Sequence, residues 1–225
     1  LAISPNLLYY TRFCREDAWS LLGTFGLFLW LDRWWATRRV ADLALAAVWG
    51  AVAFASKENF YVLGALMAPS VLAAVWEPGR GFPLVPKLRA LRDLLERHGA
   101  AIAGAILLFF TLSEVAYTLF LVHPESGNPV FQAISYWWGQ HKVERVGGPK
   151  TYYLPRLLQY EFAILLPALV WIALRCGRFG AAERFLSALA VSSVAMYAWL
   201  GEKTPWLIVH QVLPFVPLAG AAWAT

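Results

Sequence analysis

Seven long apolar segments recur along the chain, separated by polar stretches or by short runs that contain Gly and Pro. They cover residues 17–35, 40–56, 60–76, 99–122, 156–174, 182–200 and 206–223. A bilayer core of about 30 Å needs roughly 20 helical residues at about 1.5 Å each, and no segment alternates as a barrel strand does. The pattern therefore predicts an all-α membrane protein, a polytopic bundle of about seven transmembrane helices in one transmembrane domain over 1–225.

The positions of Lys and Arg between the segments predict the orientation. Three alternate connections are basic, and their residues are Arg33, Arg38 and Arg39, then Arg80, Lys87, Arg89, Arg92 and Arg97, then Arg175, Arg178 and Arg184. Cytoplasmic loops carry an excess of Lys and Arg, so we expect these connections on the cytoplasmic side. They hold 11 of the 19 basic residues, and the net charge of +5 therefore needs no nucleic acid partner. The expected partners are membrane lipids and other membrane proteins.

Two connections are long enough to have an organisation of their own. Residues 77–98 are expected to form a cytoplasmic amphipathic loop, with a helix on the membrane surface from Pro86 to His98. His98 would lie in solvent or satisfy the end of that helix. Residues 123–155 are expected to form an outer loop, with an amphipathic interfacial helix over residues 130–146. Loops of this length are usually functional or disordered, and the aromatic content argues against disorder.

The ends and the cysteines of the chain give three further expectations. The sequence begins with Leu1 rather than Met, and we expect it to be part of a longer polypeptide. Ser4 and Pro5 predict a helix start, with Ser4 as the N-cap. Cys14 and Cys176 fall near opposite faces of the predicted bundle, which excludes a disulfide between them.

Four polar clusters fall on the predicted outer side of the membrane. The members we select as candidate binding residues are Arg12, Arg15, Lys57, Glu58, His141, Lys142, Arg145, Tyr152, Tyr153, Glu202, Lys203, Trp206 and His210, and Glu16, Asp17 and Glu144 accompany them. Any one such charge is more often a side chain that reaches harmlessly to the interface. Together they fit a substrate with an anionic head and a lipid tail, since Lys and Arg bind phosphate and aromatic rings stack on sugars.

Several other polar and aromatic residues have two interpretations. Most Trp residues form an aromatic belt, and only Trp137, Trp138 and Trp206 are retained as ligand contacts. Glu114, deep in segment 99–122, fits a hydrogen bond between helices or a proton path. Glu161 fits either the outer site or a local pair with Arg156 or Lys150.

Four blocks of the sequence carry a family resemblance. They are LAISPNLLYYTRFCREDA, FASKENF, YWWGQHKVERVGGPKTYYLPRLLQYE and GEKTPWLIVHQVLPFVPLAG. In this order they resemble a prokaryotic family of flippase-activity-associated membrane proteins, which is related to the dolichyl-phosphate-mannose protein mannosyltransferases and the lipid A aminoarabinose transferase. The resemblance implies a C-type glycosyltransferase fold, and a sugar taken from a polyprenyl-phosphate donor on the non-cytoplasmic face of a prokaryotic plasma membrane.

The same resemblance implies roles for several residues. In these relatives the catalytic acid lies in the first outer loop, which would fall upstream of Leu1, so the catalytic residue is unknown and Glu16 and Asp17 are the candidates. Lys57 and Glu58 match the Lys-Glu turn of the family. No cofactor is certain, and a divalent metal is an open alternative, because some related transferases use one and others do not.

The phrase GEKTPW, residues 201–206, has its own hypothesis. Thr204 and Pro205 would start the last helix, and Lys203 beside its positive end would bind the donor phosphate. The leading prediction is thus a membrane glycosyltransferase. The alternatives are a non-catalytic subunit or scaffold of a larger assembly, and a lipid-linked sugar transporter.

Overall fold

The structure is a computed structural model, and it describes residues 3–12, 16–57, 59–79, 81–124, 132, 135–136, 138–139, 148–201 and 203–224. Within these ranges the chain is helical and contains no β-strand, since the only extended pairing there is one bridge between Glu77 and Gly81. The predicted all-α class is confirmed.

Ten α-helices and one 3₁₀ turn make up the described part of the chain. Their bounds are α1 (Pro5–Thr11), α2 (Glu16–Thr37), α3 (Val40–Ser56), α4 (Asn59–Val75), α5 (Leu84–Tyr117), α6 (Tyr153–Tyr160), α7 (Phe162–Arg175), α8 (Ala181–Trp199), the 3₁₀ turn (Pro205–Leu207), α9 (Ile208–Val212) and α10 (Phe215–Trp223). Each of the seven predicted apolar segments is helical. The match is closest for α3, whose ends are those predicted.

One helix, α5, is by itself long and apolar enough to cross a membrane. Two pairs of helices also pass this test if each pair is taken as one bent span, namely α6 with α7, and the 3₁₀ turn and α9 with α10. Helices α3 and α4 are apolar but shorter, at 17 residues each. The described chain thus has one candidate membrane span, or up to three.

Helix α5 differs from the prediction at both ends. The amphipathic stretch from Pro86 to His98 is helical, but it continues without a break into the apolar part, which gives one helix of 34 residues. The prediction of a separate surface helix that ends at His98 is therefore wrong. At the other end the helix stops at Tyr117 rather than at 122, because Leu119, Phe120 and Leu121 all have positive φ angles, which an α-helix does not allow.

Two predicted segments are broken helices. The segment 156–174 bends by 100° at Glu161, between α6 and α7, and the last segment bends by 50° between α9 and α10. Pro214 lies at the second break and has no backbone N–H to continue the hydrogen bonds of α9. The last segment also begins with the 3₁₀ turn Pro205–Leu207 and not with a regular α-helix.

The chain forms two compact units of tertiary contacts. The first contains residues 1–15, 61–82 and 137–225, and the second contains residues 16–60 and 83–136. In the first unit α10 packs along α7, and Ala168 and Leu218 are buried. In the second unit α3 packs against both α2 and α5.

Two glycines bring α2 and α3 together in the second unit. A Cβ atom at Gly23 would lie 2.5 Å from the backbone nitrogen of Ala53, and one at Gly26 would lie 2.5 Å from the ring of Trp49. Small residues allow the backbones of apolar helices to approach closely. This contact sets the position of α2 along α3.

Candidate functional site

Three of the candidate charged residues meet in the second unit. The ammonium group of Lys57 donates to Oδ1 of Asp17 in a short ion pair, and Oε1 of Glu16 lies 3.9 Å from the same nitrogen. The side chain of Asp17 is 1% exposed, that of Lys57 10% and that of Glu16 51%. The cluster therefore has a buried acid, a shielded lysine and an accessible acid.

Local structure explains how the cluster forms. Glu16 and Asp17 open α2, where the helix dipole favours negative side chains. Lys57 directly follows the last residue of α3 and has an extended backbone. The close packing at Gly23 and Ala53 aligns the start of α2 with the end of α3, and this brings together charges that are 40 residues apart in sequence.

An apolar groove begins beside this cluster. It has a volume of about 370 Å³ and its lining includes Trp19, Val52, Ser56 and Leu112. Ser56 directly precedes Lys57, and Trp19 lies two residues after Asp17. The second unit thus places the charged cluster next in sequence to residues that line an apolar groove.

Lys203 does not take the role predicted for it. Its ammonium group is buried and donates to three backbone carbonyls at the end of α8, those of Tyr197 at 2.8 Å, Ala198 at 2.9 Å and Leu200. An ammonium group has three donors, so none remains for a phosphate. The anion-binding hypothesis for Lys203 is wrong for this conformation, in which the side chain caps a helix.

The buried position of Lys203 also changes its titration. Burial lowers the pKa of Lys203 below the ordinary lysine value of 10.5, and the positive charge of Lys150 lowers it further. The three carbonyl contacts favour the charged form and act in the opposite direction.

Tyr152 and Tyr153 are buried in the first unit and make structural contacts. The hydroxyl of Tyr153 donates to the carbonyl of Thr204 at 3.0 Å. The guanidinium group of Arg156 lies 3.6 Å from the ring centre of Tyr152 and donates to its carbonyl at 2.7 Å. The ammonium group of Lys203 lies 5.9 Å from the ring centre of Tyr153.

Glu161 contacts the start of α1 and does not form the local pair with Arg156. Its Oε1 accepts from the hydroxyl of Ser4 at 2.8 Å and from the backbone N–H of Asn6 at 2.9 Å. Ser4 in turn accepts from the N–H of Leu7 at 3.2 Å, which confirms it as the N-cap of α1. The carboxylate thus binds the start of α1, while Arg156 is occupied with Tyr152.

The other candidates have more ordinary positions. Arg12 is exposed at the end of α1, and Trp206, His210 and Glu114 are half-buried. The assignment of His98 to a helix end was wrong, because His98 lies in the middle of α5. The centre of its ring is 6.0 Å from that of the Trp34 ring. Arg15, Glu58, Trp137, His141, Lys142, Glu144, Arg145 and Glu202 lie outside the described residues, as do Cys14 and most of the predicted interfacial helix.

Two long-range contacts were missed by the sequence analysis, one made by Arg184 and one made by Ser4. Arg184 donates to the carbonyls of Ala73 and Ala74, both at 3.0 Å, and to that of Phe179 at 2.5 Å, so it caps the end of α4. Ser4 is the second, as a partner of Glu161. Neither contact has a sequence signal, because in each case the partners are more than 100 residues apart.

Among the described residues no group of three or more His, Cys, Asp and Glu side chains could hold a metal ion. Cys176 is an exposed free thiol. No protein-family model, curated protein or solved structure matches the chain.

Proposed function

We propose that the protein is a membrane glycosyltransferase that takes a sugar from a polyprenyl-phosphate donor. One observation carries this proposal, namely that Glu16, Asp17 and Lys57 lie beside an apolar groove of about 370 Å³. A donor of this class has an anionic phosphate next to a long hydrocarbon chain. The charged cluster would bind the head, and the groove would take the first isoprene units.

The three charged residues have distinct roles in the proposal. Lys57 interacts with the phosphate through its ammonium group, and Asp17 is a positioning residue that holds Lys57 in place. Of the two acids, Glu16 is the one whose side chain is largely exposed. It is therefore the proposed general base.

The proposed reaction is a direct displacement at the anomeric carbon of the sugar. The hydroxyl oxygen of the acceptor forms a bond to this carbon, and its proton passes to the carboxylate of Glu16. The bond between the anomeric carbon and the phosphate oxygen breaks, and polyprenyl phosphate leaves with the electron pair. Lys57 stabilises the negative charge that develops on the phosphate.

The proposal includes a location. The seven apolar helical segments would form a seven-span bundle of the C-type glycosyltransferase kind, with residues 16, 17 and 57 on the non-cytoplasmic face of a prokaryotic plasma membrane. The arrangement of basic connections on the other side supports this orientation.

The test is sugar transfer by the purified protein in lipid nanodiscs. The protein is incubated with polyprenyl-phosphate hexoses that are radiolabelled in the phosphate and with a cell-envelope extract as the source of acceptor hydroxyls. The release of polyprenyl phosphate is measured, and this readout does not require the acceptor to be identified. Glu16→Gln should reduce the rate about 100-fold, since general base catalysis contributes about 10²–10⁴. Glu77→Gln, which alters an acid far along the chain, is the matched control.

Two results of this assay would count against the proposal. A release rate in Glu16→Gln equal to that of Glu77→Gln would remove Glu16 from the mechanism. No release by the wild-type protein from any donor of the panel, although the donor binds, would favour a different function.

A non-catalytic scaffold is the second candidate, and one observation favours it. Lys203 and Asp17, two of the charged residues selected for a site, are almost fully buried and engaged within the protein. Charges used in this way hold helices together and need no substrate. Copurification of a stable partner, together with the absence of donor binding, would support this function.

A further inference from the structure

A second apolar groove lies in the second unit, along α2, α3 and α5. Its volume is about 400 Å³, and its lining is wholly apolar and includes Leu27, Leu31, Trp34, Leu43, Ile102 and Phe109. Sites for small molecules usually measure about 300–1,000 Å³. The groove is therefore large enough for a ligand, and it offers that ligand no polar partner along its length.

Two neighbouring hydrogen-bond donors are buried at this groove, one on Trp34 of its lining and one on Arg38, which contacts Trp34. The indole nitrogen of Trp34 and Nη1 of Arg38 are both buried, and neither has a hydrogen-bond partner in the described chain. Trp34 is 6% exposed and lines the groove itself. The guanidinium carbon of Arg38 lies 4.9 Å from the ring centre of Trp34, so both donors belong to one place.

The neighbouring acid, Asp42, does not accept hydrogen bonds from these donors. The carboxylate of Asp42 is bound by Arg33, at 3.3 Å, and by the hydroxyl of Thr37. Arg39 is exposed at the start of α3. A buried donor without an acceptor costs about 1–3 kcal/mol, and here two such donors are neighbours, on Trp34 of the groove lining and on Arg38.

The backbone holds Arg38 in this position at some cost. Its φ angle is 56°, in the left-handed region that normally takes glycine after a helix. The guanidinium group is turned back over the rings of Trp35, at 4.0 Å, and Trp34. Strain of this kind is kept where the surroundings fix the residue.

We propose that this groove binds one anionic phospholipid. One acyl chain lies along Leu27, Leu31 and Ile102, and the phosphate accepts hydrogen bonds from the indole of Trp34 and from Nη1 of Arg38. The apolar lining excludes a polar peptide, and the two donors together with the positive charge favour an anionic headgroup over a zwitterionic one. Arg33, Arg38 and Arg39 belong to a basic connection, which is where anionic lipids are attracted.

Native mass spectrometry of the delipidated, full-length protein in detergent tests this proposal. Phosphatidylglycerol and phosphatidylcholine with the same acyl chains are titrated in parallel, and the bound fraction is measured. Arg38→Gln should weaken phosphatidylglycerol binding about tenfold or more, because a hydrogen bond to a charged group is worth about 1.5–3 kcal/mol. Arg39→Gln makes the same charge change one residue away and should bind as the wild type does.

Two further variants separate the two halves of the site. Trp34→Phe removes only the indole donor and keeps an aromatic ring, so it should weaken phosphatidylglycerol binding even if Arg38→Gln does not fold. Gly50→Leu should fill the groove, since a Cβ atom there would lie 3.4 Å from Phe109 and 3.6 Å from Leu27. It should abolish lipid retention.

Three results would overturn the proposal. They are equal binding of the two lipids by the wild type, equal loss in Arg38→Gln and Arg39→Gln, and full competition by glycerol phosphate, which has no acyl chain. The last result would indicate a free anion site. None of them bears on Glu16, so the proposed sugar transfer would be unaffected.

Discussion

Lys57 and Asp17 form a buried ion pair between the end of α3 and the start of α2. Removing one partner of a buried pair leaves an uncompensated charge and costs about 3–5 kcal/mol. We therefore predict that Asp17→Asn destabilises the protein by about 3 kcal/mol, as measured by thermal or SDS unfolding in detergent. The same variant should lose donor phosphate binding if Asp17 positions Lys57.

A double variant provides the control for this pair. Asp17→Asn combined with Lys57→Met removes both charges, and it should recover much of the stability that the single variant loses. If the two single effects simply add, the ion pair is not the source of the stability.

The contact between Gly23 and Ala53 gives a second prediction. A methyl group at Gly23 would lie 2.5 Å from a backbone nitrogen, which cannot move like a side chain. Gly23→Ala should therefore destabilise the protein by about 1–3 kcal/mol.

Gly64→Ala is the matched control. Gly64 also lies inside a helix, and nothing lies within 4 Å of a Cβ atom at this position. It should be neutral or stabilising by about 0.5–1 kcal/mol. Equal unfolding temperatures for the two variants would contradict the close approach.

Lys203 gives a prediction about pH. Its folded pKa lies below 10.5, so between these two values the folded state binds fewer protons than the unfolded state. Stability then rises with pH across this interval. We expect the free energy of unfolding of the wild type, relative to Lys203→Met, to increase as pH rises from the lowered pKa to 10.5.

The comparison with Lys203→Met removes the contributions of the other titrating groups. At neutral pH this variant should be less stable by about 2 kcal/mol, because it leaves the three carbonyls at the end of α8 without a charged donor. A stability difference that stays constant with pH would show that Lys203 has the same pKa in both states.

Arg184 gives a prediction for the first unit. It donates to the last carbonyls of α4 from a position 110 residues away. Arg184→Gln should lower stability by about 2 kcal/mol, since hydrogen bonds to a charged group are worth about 1.5–3 kcal/mol. Arg178→Gln removes an exposed charge nearby in sequence and should leave the unfolding temperature unchanged. A similar loss in both variants would indicate a general effect of charge.

The helices themselves could be predicted well, for a physical reason. An apolar run that is bounded by charged or turn-forming residues has few alternatives, and Val40–Ser56 was placed correctly because Arg39 and Lys57 bound it. Hydrophobicity does not mark where an amphipathic helix joins an apolar one. This is why the continuity of α5 through His98 was not predicted.

The candidate site was predicted only in part. Glu16, Asp17 and Lys57 do meet, because each lies at a helix end on the same side of the α2 and α3 pair. Lys203 and Glu161 were misinterpreted, since the groups they bind are backbone atoms and a hydroxyl whose positions depend on the fold. Sequence shows which side chains are charged but not which backbone groups will be close to them.

The capping of α4 by Arg184 and of α8 by Lys203 has a consequence for the membrane setting. A helix of 17 residues such as α4 is about 26 Å long at about 1.5 Å per residue, which is shorter than a hydrocarbon core of about 30 Å. Its last carbonyls would normally have to reach water, because lipid offers no donor. Since the guanidinium group of Arg184 supplies those donors, this end of α4 does not depend on water to satisfy its carbonyls.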